Sequence, residues 1–349
     1  MQRSEAGPMT KTLGWDVGGA HLKAALCEGG EIVKVWQEPT PLWKGLDHLD
    51  ASLESILTKA GPVERHAVTM TGELTDIFPH RKAGVEALSK ILTGRLGETL
   101  RFHAGDKGFV AAESIPDQWD RVASANWHAS AALVAARIEE ALFLDMGSTT
   151  TDIVPVKDGK VAFGGFTDAE RLGAGELVYQ GYTRTALMSV ASHVPNEGRV
   201  TPIMAEFFAT MADVQRILGV LDESDDQHPT ADGQAKTAEA SRARLARMIG
   251  RDAFDAAPGT LERTAEAFAE AQIRRIHDAA LLVSSRGTLS EDAPVVIAGA
   301  GRPVLRRLAA RLDRGVVDFA DLVECRSSLR DDVCRAAPAV ALALLGAAA

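Results

Sequence analysis

Two aspartates, Asp16 and Asp145, each close a short apolar run and stand two residues before a glycine, in GWDVGG and LDMGST. A carboxylate at a strand end followed by a turn of small residues suits phosphate chemistry. The backbone N–H groups of such a turn meet an anion without side-chain obstruction. The carboxylate is placed to hold a divalent ion, directly or through water, beside the phosphate oxygens. Aligned on Asp16 and Asp145, the two motifs stay in register beyond the aspartates: Gly18 falls on Gly147, Lys23 on Asp152, and Gly29-Gly30 on Asp158-Gly159. Each copy reads as a strand, a tight turn, a second strand, a two-residue Gly-Gly or Asp-Gly turn, and a third strand. One such hairpin is commonly an aspartate capping a turn. A duplicated pair, each at the head of a plausible domain, favours twin anion sites with Asp16 and Asp145 as metal-holding groups.

The first turn offers Gly18 and Gly19, and the second offers Gly147 with the hydroxyls of Ser148, Thr149 and Thr150. Lys23 shares a strand face with His21; it either reaches a phosphate as a point charge or is a solvated strand lysine. Arg184, in GYTRTAL, is either a bidentate anion clamp or half of an ion pair. A third glycine element, APVVIAGAGRPVLRRLAARLD, reads as a buried strand, a turn at Gly299-Ala300-Gly301, and a helix with Pro303 in its first turn. Such a junction accepts a phosphate or a flat ring at the helix N-terminus. Glu73 and Asp76 follow the predicted strand over 66–73, where acid–base groups of open α/β sheets tend to sit; the choice between them is open. Trp127 reads as packing at the connection of the halves, with aromatic stacking as its other option, and His128 is open. The basic run Arg242, Arg244, Arg247 reads as a solvated helix face, with Lys236 and Arg244 crossing the mouth of the site if the insertion closes as a lid.

The elements that must position these groups are those of a 349-residue chain with 46% hydrophobic and 25% charged residues, which suits two domains. No run of eighteen apolar residues occurs, so no membrane partner is expected. A net charge of -10 argues against a nucleic-acid partner. Three scattered cysteines and no signal-peptide pattern fit a reduced, cytoplasmic setting, and nine histidines without paired spacing give no support to a zinc site. The layout expected is a loose tail over 1–10, an N-terminal domain over 11–128, and a C-terminal domain over 129–349. A helix over 129–138 connects the halves. An almost wholly helical insertion over 201–286 begins with Thr201 as cap and Pro202 in the first turn; its apolar helices offer a lid or a homodimer surface. The apolar helix AVALALLG packs against the body.

The two DxG hairpins and the late glycine turn together resemble the superfamily of acetate and sugar kinases, Hsp70 and actin. The resemblance implies an α/β fold with two related actin-like, ribonuclease H-like domains around a central cleft, the second carrying the helical insertion. Its phosphate motifs map onto Asp16–Lys23 and Asp145–Asp152, and its adenosine motif onto Gly299–Gly301. The stretches TMTGELTDIFPHRKAGVEAL, SANWHASA, LFLDMGSTTTDIVPV, GYTRTALMSV and DGQAKTAEASRARLARMIG resemble the hydantoinase/oxoprolinase-related proteins of tetrahydromethanopterin-linked one-carbon transfer. That resemblance implies a transferase of methanofuran or methylofuran biosynthesis. Such an enzyme joins an (aminomethyl)furan-methyl diphosphate to the phenol of a tyrosine- or tyramine-derived acceptor and releases pyrophosphate, with Mg2+ or another divalent ion expected and ATP use open. Two alternatives share the same hairpins: an ATP-dependent small-molecule kinase, and a non-catalytic nucleotide-gated binding protein.

Overall fold

A computed structural model describes residues 10–348, so the expected tail, apart from Thr10, lies outside the described residues. The chain forms two compact units. The first takes the chain up to Ala141, Val156–Glu170 and the segment from Val317 onward; the second takes Leu142–Pro155 and Arg171–Val316. The units interleave along the chain, where the sequence suggested a single division at 128/129.

In the first unit the strands are β1 (Lys11–Val17), β2 (His21–Glu28), β3 (Glu31–Pro39), β4 (Arg65–Met70), β5 (Leu100–His103) and β6 (Phe109–Val110), in the sheet order β3-β2-β1-β4-β5-β6. β1 to β3 pair antiparallel, while β4 and β5 run parallel to β1. The helices are α1 (Asp47–Ala60), α2 (Arg81–Leu96), α3 (Ile115–Val122) and α4 (Asn126–Ala135). Leu13, Trp15 and Val17 of β1 pack with Leu53 and Ile56 of α1 and Val85, Leu88 and Leu92 of α2. A central strand is covered on both faces, and β1 is buried from Thr12 to Val17, with Thr12 and Asp16 as its polar members.

The second unit takes β7 (Ala141–Met146) from Leu142 and β8 (Thr151–Lys157) as far as Pro155, while the end of β8 and the short β9 (Lys160–Val161) belong to the first unit. Next come α5 (Asp168–Ala174), β10 (Leu177–Val178) and α6 (Leu187–Val190), then β11 (His193–Asn196) and β12 (Arg199–Pro202). The insertion proper holds α7 (Met211–Ile217), α8 (Ala238–Met248) and α9 (Thr260–Ser284). β13 (Val295–Ala298), α10 (Arg302–Arg311) and β14 (Val316–Asp318) complete its sheet, ordered β10-β8-β7-β13-β14 with β9 on β8. Residues Ile273 to Val283 of α9, with Leu305 and Leu308 of α10, cover β7 and β13. The earlier half of α9 packs Leu261 and Phe268 against Val214 of α7 and Leu245 and Met248 of α8. The chain returns through α11 (Arg330–Arg335) to α12 (Ala337–Ala348), whose Ala339 and Ala343 backbone passes over Gly14 so closely that any side chain there would collide.

The duplication extends to the hydrogen bonding. Gly18 N–H donates to the His21 carbonyl at 3.0 Å, and Gly147 N–H to the Thr150 carbonyl at 3.0 Å. The second turns close on the pairs Glu28–Glu31 and Lys157–Lys160, with Gly29, Gly30, Asp158 and Gly159 all at positive φ. Each of these partners is displaced along the chain by the same interval that separates Asp16 from Asp145.

Two expectations need correction. Thr201 is not a helix cap: it lies in β12, paired with Val194 of β11. The insertion's first helix starts only at Met211, where Thr210 and Asp213 form a reciprocal capping box. In the run Arg242, Arg244, Arg247 the solvated-face reading fails at Arg244 alone, Arg242 being half-buried and Arg247 exposed. Arg244 is fully buried, bonded to Asp213 at 2.7 Å and Asp232 at 3.1 Å, so it braces the loop before α8 and does not close a lid. The helix expected over 129–138 is α4, Asn126–Ala135, and it lies within the first unit.

Candidate active site

In the first unit β1 and β4 end side by side, and Thr71 N–H donates to the Val17 carbonyl at 2.9 Å. One 3₁₀ turn over Gly72–Leu74 follows and carries Glu73, whose side chain is 1% exposed. Glu73 Oε1 accepts a hydrogen bond from Ser124 Oγ at 2.8 Å. Ser124 Oγ in turn accepts one from Arg81 at 3.0 Å, and that guanidinium lies 3.7 Å from Oε1 itself. Glu73 Oε2 and Arg81 Nε are buried without a hydrogen-bond partner among the described residues. Leaving buried polar atoms unpaired costs about 1–3 kcal/mol each, so the cluster is held against stability. Two sequence features make room for it. Gly84 lets α2 close on the turn, since a Cβ there would lie 2.8 Å from the Glu73 Cα and carbonyl. Ser124 is held at φ 52°, unusual for a residue with a side chain.

Burial pushes the Glu73 carboxyl up to about 7, against the lowering pull of Ser124 and Arg81 and with a further push from Asp168. It therefore exchanges its proton near neutrality. Asp76, the other candidate, sits exposed in the following loop. Asp16 is nearly buried and faces Lys23 across the β1–β2 pair. The Lys23 amine is engaged structurally, donating to the Arg335 carbonyl at 2.7 Å at the end of α11. The Gly19 carbonyl accepts from Leu42 N–H, so the first turn is clamped between Leu42 and Thr71.

The second unit gathers more of the expected residues. The turn after β7 is braced from below: Tyr182 N–H donates to the Gly147 carbonyl, and Thr183 and Arg184 N–H to the Ser148 carbonyl. The Arg184 guanidinium reaches Thr149 Oγ1 at 3.3 Å and has no carboxylate partner among the described residues. The glycine turn meets the same strand end. Gly301 N–H donates to the Met146 carbonyl at 2.9 Å. Gly299 adopts φ 84°, and a Cβ there would collide with the Met146 carbonyl and the Asp145 carboxylate. Asp145, Gly147, Ser148, Thr149, Arg184, Gly299 and Gly301 thus converge on one strand terminus, while Thr150 supplies the carbonyl that closes the turn.

Among the described residues no three His, Cys, Asp or Glu side chains group as a metal cage. Single carboxylates such as Asp16 and Asp145 suit Mg2+, which keeps water and takes substrate phosphate oxygens as ligands. Trp127 and His128 of α4 are buried in an aromatic cluster with Phe163 and Phe166, ring centroids 5.4–6.4 Å apart. His128 Nδ1 lies 3.1 Å from His103 Nε2, and burial pushes His103 down to about 3, so that ring stays neutral. Packing, the expected role of Trp127, is what the structure shows. Ser124 opens the quoted stretch SANWHASA and Arg81 lies within TMTGELTDIFPHRKAGVEAL, but their link to Glu73 escaped sequence reading. Ser124 is distant in sequence from the glutamate it holds, Arg81 lies across a loop at the head of α2, and neither stretch shows that the two meet at Glu73.

Two sheets opened by the same DxG hairpin, with a glycine turn at the head of a late helix, define an α/β protein built on a duplicated module. A sequence model of the hydantoinase/oxoprolinase family matches residues 64–322, and the chain belongs to that family. The (4-{4-[2-(gamma-L-glutamylamino)ethyl]phenoxymethyl}furan-2-yl)methanamine synthase of Methanocaldococcus jannaschii is 30% identical over 334 residues, covering 95% of this chain and 96% of that protein. A Methanococcus vannielii protein of the same name is 28% identical over 204 residues, covering 58% of this chain and 89% of its own. Among solved structures, nucleotide-free acetone carboxylase shares the fold with a TM-score of 0.54 at 11% identity, over 85% of this chain and 66% of that one. No helix among the described residues is long and apolar enough to cross a membrane.

Proposed function

We propose that the protein is an ether-forming transferase of methanofuran or methylofuran biosynthesis. It joins the methylene carbon of an (aminomethyl)furan-methyl diphosphate to the phenol oxygen of a tyrosine- or tyramine-derived acceptor. The carbon–oxygen bond to the diphosphate breaks, pyrophosphate leaves with that electron pair, and the phenol proton passes to a base. The observation that carries this reading is the likeness, over nearly the full length of both chains, to a synthase whose named product contains that phenoxymethyl-furan ether. The same likeness favours it over the kinase alternative.

The geometry supports a division of labour. The Ser148–Thr149 turn and Arg184 bind the diphosphate and stabilise the charge it gains on departure. Asp145, in the same unit as that turn, is the residue that would hold a divalent ion, which when bound neutralises phosphate charge; Asp16 has the matching place in the hairpin of the first unit. Glu73 takes the phenol proton. An ordinary phenol near pKa 10 is mostly protonated at neutral pH, and a carboxylate poised near 7 is a better acceptor than one near 4. Lys23, tied to the Arg335 carbonyl, is left out of the phosphate set. The exposed Leu281 and Leu282 of α9 keep a homodimer through the insertion within the reading.

Pyrophosphate release from the furan diphosphate, followed with and without a phenolic acceptor, tests the function. Release that requires the acceptor and no nucleotide supports it; release absent under all acceptors, with ATP hydrolysed instead, overturns it.

A further inference from the structure

The first unit carries a concavity that the proposed reaction does not use. At the strand-start edge of its sheet, a cavity of about 480 Å3 is lined by Thr12, Arg65, His66, Arg101 and Phe109, with Gly346 of α12 on one wall. That volume lies within the range of small-molecule sites. Glu73 and Asp16 sit at the other edge: Thr12 and Asp16 are four residues apart in β1, about 13 Å along a strand.

The lining is rich in donors. Arg65 directs one nitrogen to the Gly346 and Ala347 carbonyls, and Arg101 one nitrogen to the Glu98 and Leu100 carbonyls. Neither has a carboxylate partner among the described residues, in a chain where acidic groups outnumber basic ones by 48 to 38. Glu64, also in the wall, is occupied by the Lys11 N–H at 2.6 Å. The Trp15 indole donates to His66 Nδ1 at 3.2 Å, which leaves the proton of the neutral ring on Nε2, a donor. Burial keeps this ring neutral by pushing it down to about 4. Thr12 Oγ1 is buried with no hydrogen-bond partner among the described residues. Phe109 supplies an apolar face.

We propose that this cavity is a binding site for a small organic anion, a carboxylate or phosphate group held by Arg65 and Arg101 with its apolar body against Phe109. Because His66 is bonded to Trp15, and Trp15 precedes Asp16 in β1, occupancy is reported by the indole. The proposal stands apart from the ether-forming reading and survives its failure.

The test is calorimetric titration of the full chain with inorganic phosphate, citrate and benzoate at millimolar concentration. Tryptophan emission of the wild type and of Trp15→Phe is compared in parallel, since the chain has five tryptophans. Arms in phosphate and in the two carboxylates separate the anion classes. Arg101→Glu is the main variant, since Arg101 is exposed and bonded only to nearby carbonyls. Arg65→Lys is the second, keeping a donor at the end of α12. Arg184→Ala controls for the hairpin site. Expected is one site for at least one probe, weakened about tenfold or more by Arg101→Glu, as loss of a charge-assisted contact implies, and unchanged in Arg184→Ala. No binding of any probe, binding within twofold of wild type in Arg101→Glu, or binding abolished in Arg184→Ala would each overturn it.

Discussion

Replacing Glu73 by glutamine separates a carboxylate kept for chemistry from one kept for packing. Glutamine preserves shape and can still accept from Ser124, but it has no charge to bury. The carboxyl moves from an ordinary 4.5 to about 7 in the folded protein. At about 1.4 kcal/mol per tenfold change in proton affinity, that amounts to about 3 kcal/mol. The folded state binds this proton more tightly than the unfolded chain, so the wild type's stability falls as pH rises from about 4.5 to 7 and then levels off. Glu73→Gln lacks this loss. Its stability relative to wild type should therefore climb across that window and reach about 3 kcal/mol above pH 7, read by urea unfolding at a series of pH values. Turnover should fall about 10²–10⁴-fold, the usual contribution of a positioned base. A variant both more stable and nearly inactive is the signature of a group retained against stability for function. A stability difference flat between pH 4.5 and 7 would refute the burial argument, and turnover within a few-fold of wild type would refute the base.

Ser124→Ala removes a bond that lowers the Glu73 pKa; the acid limb of the kcat/KM profile, set by the ionised base, should move to higher pH, and an unmoved limb would detach Ser124 from catalysis. Arg184→Ala should weaken pyrophosphate binding about 10–100-fold, the scale of one charged hydrogen bond, with little change in Tm because the side chain is exposed; isothermal titration measures it, with partial recovery expected in Arg184→Lys. Gly299→Ala imposes a side chain at φ 84° against the Met146 carbonyl and should cost about 1–3 kcal/mol of stability, measured by chemical unfolding.

Legibility in the sequence followed the range of the interactions. The hairpins announce themselves because their constraints are local: Asp and Gly stand where positive φ is needed, and the same signs recur in register in the second copy. The glycine turn at 299–301 was readable for the same reason. Strand β12 was misread because Thr-Pro looks like a helix start. The better signal was the Glu197-Gly198 turn, both residues at positive φ, with Val194 and Val200 alternating among polar neighbours. Helix α12 is buried from Ala337 to Leu344, and a helix apolar on all sides carries no mark of the sheet it covers. Arg244 looked like a surface charge because its partners, Asp213 and Asp232, are 31 and 12 residues distant. The Glu73 cluster was half visible: strand ends draw acidic catalytic groups, but nothing local distinguishes buried Glu73 from exposed Asp76. That choice is made by Ser124 and Gly84, which only folding brings near.

The central claim is that the new bond joins the furan methylene carbon to the phenol oxygen. Mass spectrometry of a reaction run with the furan diphosphate and a phenolic acceptor carrying oxygen-18 in its hydroxyl tests it directly. The account expects an ether product that retains the heavy oxygen, one unlabelled pyrophosphate per ether, and no requirement for ATP. A labelled aryl phosphate, or an ATP-dependent phosphorylated product with no ether, would contradict it.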